Sequence, residues 1–191
     1  WLQLELTKSL YRKHEENLML GAEMLESDNQ VVLDEYLLGF IREQDFEKEA
    51  KIWPNHKTDY RPLLKFAKDN NLHFVATNIP RRFANMVYRF GVDTLEYLPE
   101  TSKQSIAPLP MMYDTSLHCY KEISEMAEGH GGENLPKSQA IKDATMAYFI
   151  STNMKENTRF LHYHGSYHSK YYESIMWYLL QLNPDLNITT I

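Results

Sequence analysis

Apolar positions along the chain switch between helical spacing and short continuous runs, and the switches predict its elements. "WLQLELTKSLYRKHEE" places Leu2, Leu6 and Leu10 at helical spacing with charges between them, which predicts a helix. "NLMLGAEM" is a short apolar run and predicts a buried strand ending near Glu23 and Met24. Asp28 opens a second helix through "NQVVLDEYLLGF" that stops near Gly39, and "EQDFEKEAKIW" predicts a short acidic helix broken by Pro54. The next unit is the clearest. "YRPLLKFAKDNN" reads as a helix with Leu63, Leu64 and Ala67 inward, and "LHFVATN" as a buried strand. "IPRRFANMVYRFG" reads as a helix with Pro80 at its start and Gly91 at its end.

The second half continues the alternation. "SLHCYKEISEMAEGHGGENLP" predicts a helix ending at Gly129 and then a loop. "KSQAIKDATMAYFISTNM" predicts a long helix with Ile141, Ala144, Thr145, Tyr148 and Phe149 on one side. "TRFLHYH" reads as a third strand, and "SKYYESIMWYLLQLN" as a helix with Tyr172, Ile175, Met176 and Leu179 inward. "LNITTI" reads as the start of a fourth strand. Helices alternating with short apolar strands predict an α/β fold, a mostly parallel sheet flanked by helices. Residues 31–60 and 108–135 do not fit simple crossovers and are read as a smaller helical lobe. The α/β part then covers about 1–30, 61–107 and 136–191 of a single domain.

Composition narrows the function classes. The 191 residues suffice for one domain with a real core. Net charge is −6 and no basic block occurs, which argues against general nucleic-acid binding. The single cysteine, Cys119, excludes an intrachain disulfide and a Cys-rich zinc site. No apolar run approaches ~18 residues, so no helical span is predicted. Trp1 already lies inside a helical pattern and "NITTI" reads as a strand in progress. The expectation is therefore that material is missing at both ends of this sequence, its C-terminal end included.

Ligands bind at the carboxyl ends of strands in an open parallel sheet. There the first strand delivers Glu23, the second Thr77, Asn78 and then Arg81 and Arg82, and the third His164, Gly165 and His168. Glu23, in an apolar run, reads either as a structural ion pair or as a metal ligand or general base. Arg81 and Arg82, in the first turn of a helix, read either as partners of a carboxylate or as an anion seat built with helix N–H groups. His162 and His164 alternate along a strand. His162 reads as a hydrogen-bonded core residue, and His168, past the Gly165 turn, as the better functional candidate. No nucleophile elbow, phosphate loop or dinucleotide fingerprint occurs. Tyr113, Tyr120 and His130 lie in a segment rich in residue types that ligate or line a haem, with tyrosinate suited to ferric iron; the bland reading is a packed helical lobe.

"GAEML", "YRPLLKFAKDNNLHFVATNIPRRFANMVYRFG", "KDATMAYFI" and "FLHYHGSYHS" together resemble the ChaN-like, iron-regulated haem-binding proteins, within a superfamily that includes TIKI-type proteases and erythromycin-esterase-like hydrolases. The resemblance covers nearly the whole chain. It implies a parallel sheet with a smaller helical subdomain, envelope association often as a lipoprotein, and haem bound at a dimer interface with tyrosine on iron. The family's motif residues would fall on Glu23, Asn78, Pro80, Arg81, Asp143, Met146, Gly165 and His168. The family's opening strand with a G-E-x-H type motif has no counterpart here, so the resemblance implies that a first strand is missing before "WLQLEL". The favoured expectation is a haem-binding protein of the bacterial envelope serving haem or iron acquisition, a homodimer attached to a membrane only through a lipid anchor outside this chain. Tyr113 or Tyr120 would ligate the iron of iron protoporphyrin IX, and Arg81, His130 or His168 would hold its propionates. The alternatives are a metal-dependent hydrolase using Glu23 and His168, and a scaffold whose strand-edge polar groups are structural.

Overall fold

A computed structural model describes residues 1–126 and 132–191. The helices are α1 (Leu2–His14), α2 (Gln30–Leu37), α3 (Glu43–Glu49), α4 (Arg61–Asp69), α5 (Arg81–Phe90), α6 (Glu100–Lys103), α7 (His118–Met126), α8 (Asn134–Asn153) and α9 (Ile175–Leu182). The strands are β1 (Leu18–Glu26), β2 (Phe74–Asn78) and β3 (Arg159–Tyr163). They form a parallel sheet in the order β2-β1-β3, flanked by helices, so the fold is α/β as expected. The chain divides into two compact units, one of residues 1–77 and 152–163, the other of residues 78–151 and 164–191.

The first unit holds the β1–β3 pairing. Leu18 lies opposite Arg159 and Ala22 opposite Tyr163. Leu18, Leu20, Leu33, Phe46, Leu63, Phe74 and Tyr163 are buried in one core. The centre of β1 is buried on both faces, which is why its sequence runs apolar without alternating. The strand extends through Glu26, beyond the predicted end, so half-buried Glu23 lies inside β1.

α1 forms where the helical spacing predicts it, with Leu4, Leu10 and Tyr11 packed partly buried against that core. Leu2 is 75% exposed, whereas Thr7 is fully buried. The Thr7 hydroxyl lies 2.6 Å from the Gln3 carbonyl and 2.5 Å from the Tyr163 hydroxyl, so burial leaves it satisfied. His162, expected to be a hydrogen-bonded core residue, is half-buried and its Nε2 lies 2.7 Å from the Thr77 hydroxyl. The side chain of Gln30 acts on β2 as a strand would. Its amide donates to the Phe74 carbonyl at 3.0 Å and accepts from the Ala76 N–H at 2.7 Å. That pairing blunts the sheet edge.

Gly21 sits where the two strands leave no room. A Cβ there would lie 2.7 and 2.8 Å from carbons of the Phe160 ring and 3.3 Å from His162 Cδ2. Gly21→Ala is expected to cost about 1–3 kcal/mol, because the ring must leave its rotamer or the strands must part. Urea unfolding checks this; an unchanged midpoint would mean that Phe160 yields freely.

His56 is buried beside Glu47, at 3.6 Å, and Glu47 is also held by Arg61. Burial depresses the His56 pKa, chiefly by penalising the cation; Glu47 opposes this and Arg61 adds to it. The unfolded chain therefore takes up a proton more readily than the folded one. The His56 contribution to stability is fully present above the ordinary imidazole value of about 6.5 and is lost as pH falls through the depressed value. His56→Gln should flatten this acid-side fall in the unfolding midpoint; an identical slope in the variant would remove His56 as its cause.

The second unit has its own core of Ile79, Phe83, Val87, Leu95, Ile106 and Ile141. α8 is buried over most of its circumference rather than on one side. Ala140, Asp143, Met146 and Ala147 are buried, while the predicted inward pair Tyr148 and Phe149 is only half-buried. The predicted end of its predecessor α7, Gly129, lies outside the described residues. The predicted helix over 169–183 begins only at Ile175. Tyr171, Tyr172 and Ser174 adopt positive φ of 60°, 61° and 56°, which breaks a helix before that point. Tyr172 is accordingly 45% exposed and not inward, while Ile175, Met176 and Leu179 are buried as expected. Residues 186–191 carry no strand; a β-strand needs a ladder partner for its backbone groups, and none of the described strands pairs there.

Candidate functional site

The second unit gathers a buried polar cluster from three stretches of chain. Asp143 lies mid-way along α8, Tyr120 on α7, and His168 in the one-turn helix Ser166–His168 that follows the Gly165 turn. Their exposures are 1%, 1% and 8%. The Tyr120 hydroxyl donates to Asp143 Oδ2 at 2.9 Å, and His168 Nδ1 lies 2.5 Å from Asp143 Oδ1. Both carboxylate oxygens are therefore engaged, which is what makes a buried acid tolerable. Burial raises the Asp143 pKa, and the His168 and Tyr120 hydrogen bonds work against that rise.

Around this cluster lie further hydroxyls and a thiol. Tyr178 is buried and its hydroxyl donates to the Met112 carbonyl at 2.8 Å, tying down the segment that carries Tyr113. The Tyr113 ring lies 5.5 Å from that of Tyr120, tilted by 42°. Burial raises the pKa of Tyr113, and raises those of Tyr120 and Tyr178 further, with Asp143 adding to both; all three stay phenols at neutral pH. Burial also pushes the Cys119 thiol up to about 11, so it is no ready nucleophile. Glu173 accepts the Cys119 N–H at 2.7 Å and caps the start of α7.

The candidate residues named from sequence have separate fates. Asp143, His168 and Tyr120 come together. Tyr113 touches the cluster from a half-buried position. Arg81 is exposed in the first turn of α5, and neighbouring Arg82 lays its guanidinium 4.3 Å from the Phe83 ring centroid. Asn78 ends β2 and is half-buried. Glu23 belongs to the first unit and His168 to the second. His130 lies outside the described residues. His162 lies in β3 and His164 one residue past its end. Among the described residues, no group of three or more His, Cys, Asp or Glu side chains is arranged to hold a metal ion.

The sequence points to both Asp143 and His168 but not to their pairing, and it gives no sign of Glu173 or Tyr178 as site residues. Asp143 is marked by the family resemblance of "KDATMAYFI" and by its charge amid the buried residues of α8; nothing in spacing marks the other two.

On the surface of the same unit, Glu122 accepts Lys170 Nζ at 2.7 Å and the Tyr171 hydroxyl at 2.6 Å, and the His118 and Tyr171 rings meet edge-on at 4.4 Å. This cluster leaves Tyr167 and Tyr171 half exposed, beside a stretch of left-handed backbone.

Comparison with known proteins bears on the chain as a whole. The model of the family described as haem-binding uptake, Tiki superfamily, ChaN matches residues 1–179. A solved structure described as cofacial haem binding to ChaN of Campylobacter jejuni superposes with a TM-score of 0.64 at 17% identity, covering 93% of this chain and 68% of that one. No curated protein matches in sequence.

Proposed function

This chain belongs to the ChaN haem-binding uptake family of the Tiki superfamily, and from that membership we propose that it binds haem, iron protoporphyrin IX, through its second unit. The observation that carries the reading is the family match over almost the entire chain. The donor chemistry of the unit fits. Ferric haem takes a phenolate oxygen as ligand. Of the two tyrosines expected from sequence, Tyr113 has surface access, whereas Tyr120 is 1% exposed and donates to Asp143. Tyr113 is therefore the proposed iron ligand, and Tyr120 with Asp143 backs its ring. Arg81, exposed, is the proposed partner of a propionate; His168 is already committed at Nδ1 to Asp143. When bound, the haem supplies the iron chemistry, and the protein supplies the ligand, the seat and shielding from water.

The remainder of the proposal is a homodimer that encloses haem between copies, placed at the bacterial envelope through an anchor outside this chain, serving haem or iron acquisition. Titration with haem, followed by absorbance and by sedimentation, tests both levels. Saturable binding with a tyrosinate-type ferric spectrum and a shift to dimer is the expected result. Absence of saturable binding would sink the haem reading, and binding by a persistent monomer would sink the dimer alone.

One observation favours a second reading. The Asp143–His168 contact is the arrangement by which a carboxylate orients a histidine general base, as a hydrolase would use it. Stoichiometric zinc or manganese in the purified protein, without haem affinity, would favour that reading.

A further inference from the structure

We infer that Tyr120 is a redox-active tyrosine whose proton passes to Asp143 when an electron is withdrawn. Three observations on the second unit converge on this. First, the Tyr120 hydroxyl already donates to Asp143 Oδ2 at 2.9 Å, so a proton acceptor stands in place before oxidation. A phenol that loses an electron becomes a very strong acid; in a water-free interior it can be oxidised only if its proton has somewhere to go at once. Second, the acceptor is a carboxylate whose other oxygen is held by His168 at 2.5 Å, which fixes its orientation. Third, Tyr120 does not stand alone. The half-buried Tyr113 ring lies 5.5 Å away on one side, and buried Tyr178 meets the half-buried Trp177 ring at 4.8 Å within α9. These side chains are oxidisable, and Tyr113 gives an electron leaving Tyr120 a short route towards the surface.

The step balances as follows. The Tyr120 O–H bond breaks, an O–H bond forms on Asp143 Oδ2, and one electron goes to the oxidant. The tyrosine becomes a neutral radical and the acid becomes neutral. Re-reduction by an outside donor returns the proton along the same hydrogen bond. The oxidant class is a one-electron acceptor, and a haem seated at Tyr113 in the presence of hydrogen peroxide would generate one. The radical site stands on geometry alone; its use by the protein rests on the haem reading. Its role would be to draw oxidising equivalents away from bound haem rather than let them attack the ring.

The experiment uses the full chain without haem, oxidised by flash-generated tris(bipyridine)ruthenium(III), with radicals trapped by freezing and read by electron paramagnetic resonance. The expected result is a long-lived tyrosyl signal that is lost in Tyr120→Phe and shortened in Asp143→Asn. Its formation should slow in heavy water, because a proton moves with the electron. This last measurement is made on unmodified protein and holds even if a variant fails to fold. The same signal in Tyr120→Phe, or no deuterium effect in the wild type, would overturn the inference. Repeating the trap with haem and hydrogen peroxide separates the two proposals. A Tyr120 radical from ruthenium but none from haem supports the redox tyrosine and counts against haem at Tyr113.

Discussion

Asp143→Ala is expected to destabilise the protein by about 3–5 kcal/mol, because it removes the shared acceptor of a buried network. Tyr120 Oη and His168 Nδ1 would both lose their partner in a region where each is under a tenth exposed. An unsatisfied buried donor costs roughly 1–3 kcal/mol, and a histidine left charged costs more. Water would have to reach groups that the fold leaves under a tenth exposed. Asp143→Asn should be milder, since the amide keeps one acceptor for one of the two donors while removing the negative charge. Urea unfolding followed by far-ultraviolet circular dichroism measures both. If Asp143→Ala unfolds at the wild-type midpoint, the network is not holding the unit together.

Tyr113→Phe is expected to abolish the tyrosinate-type ferric spectrum and to weaken haem binding by at least about tenfold, roughly 1.4 kcal/mol. The change removes one oxygen from a half-buried ring and leaves the ring's contact with Tyr120 intact, so the fold should survive. Tyr120→Phe should do the opposite. It should keep the spectrum and lose about 1–3 kcal/mol of stability, because Asp143 Oδ2 is left without its donor. The cause is steric as much as electronic: a flat porphyrin cannot reach a hydroxyl that is fully enclosed and already engaged. A spectrum lost in Tyr120→Phe and kept in Tyr113→Phe would reverse the ligand assignment.

Much of this fold is legible in the chain itself. The helix–strand–helix unit over residues 61–90 can be read because its helices carry strong one-sided apolar stripes and its strand is a short apolar run flanked by turn residues. Gly91, at φ 90°, ends α5 as a positive-φ residue should. Where the spacing misleads, the cause is a tertiary interaction that it does not encode. Tyr172 has the right interval from Ile175 for a helix, but three left-handed residues precede that helix. Thr7 is buried because a tyrosine more than 150 positions away offers its hydroxyl a partner.

The candidate site divides along the same line. Sequence alone determined the alternation of helices and strands over most of the chain, the α/β class, the family, and the residue types from which a haem or acid–base site could be made. Only the tertiary structure decided which of them meet. Tyr120, Asp143 and His168 are separated by more than twenty positions each, and no local preference distinguishes the enclosed Tyr120 from the half-buried Tyr113. Local propensity and apolar periodicity act over a few residues and so are written in the chain. Hydrogen bonding in a water-free interior depends on which groups packing brings together, and that is settled only when the elements close on one another.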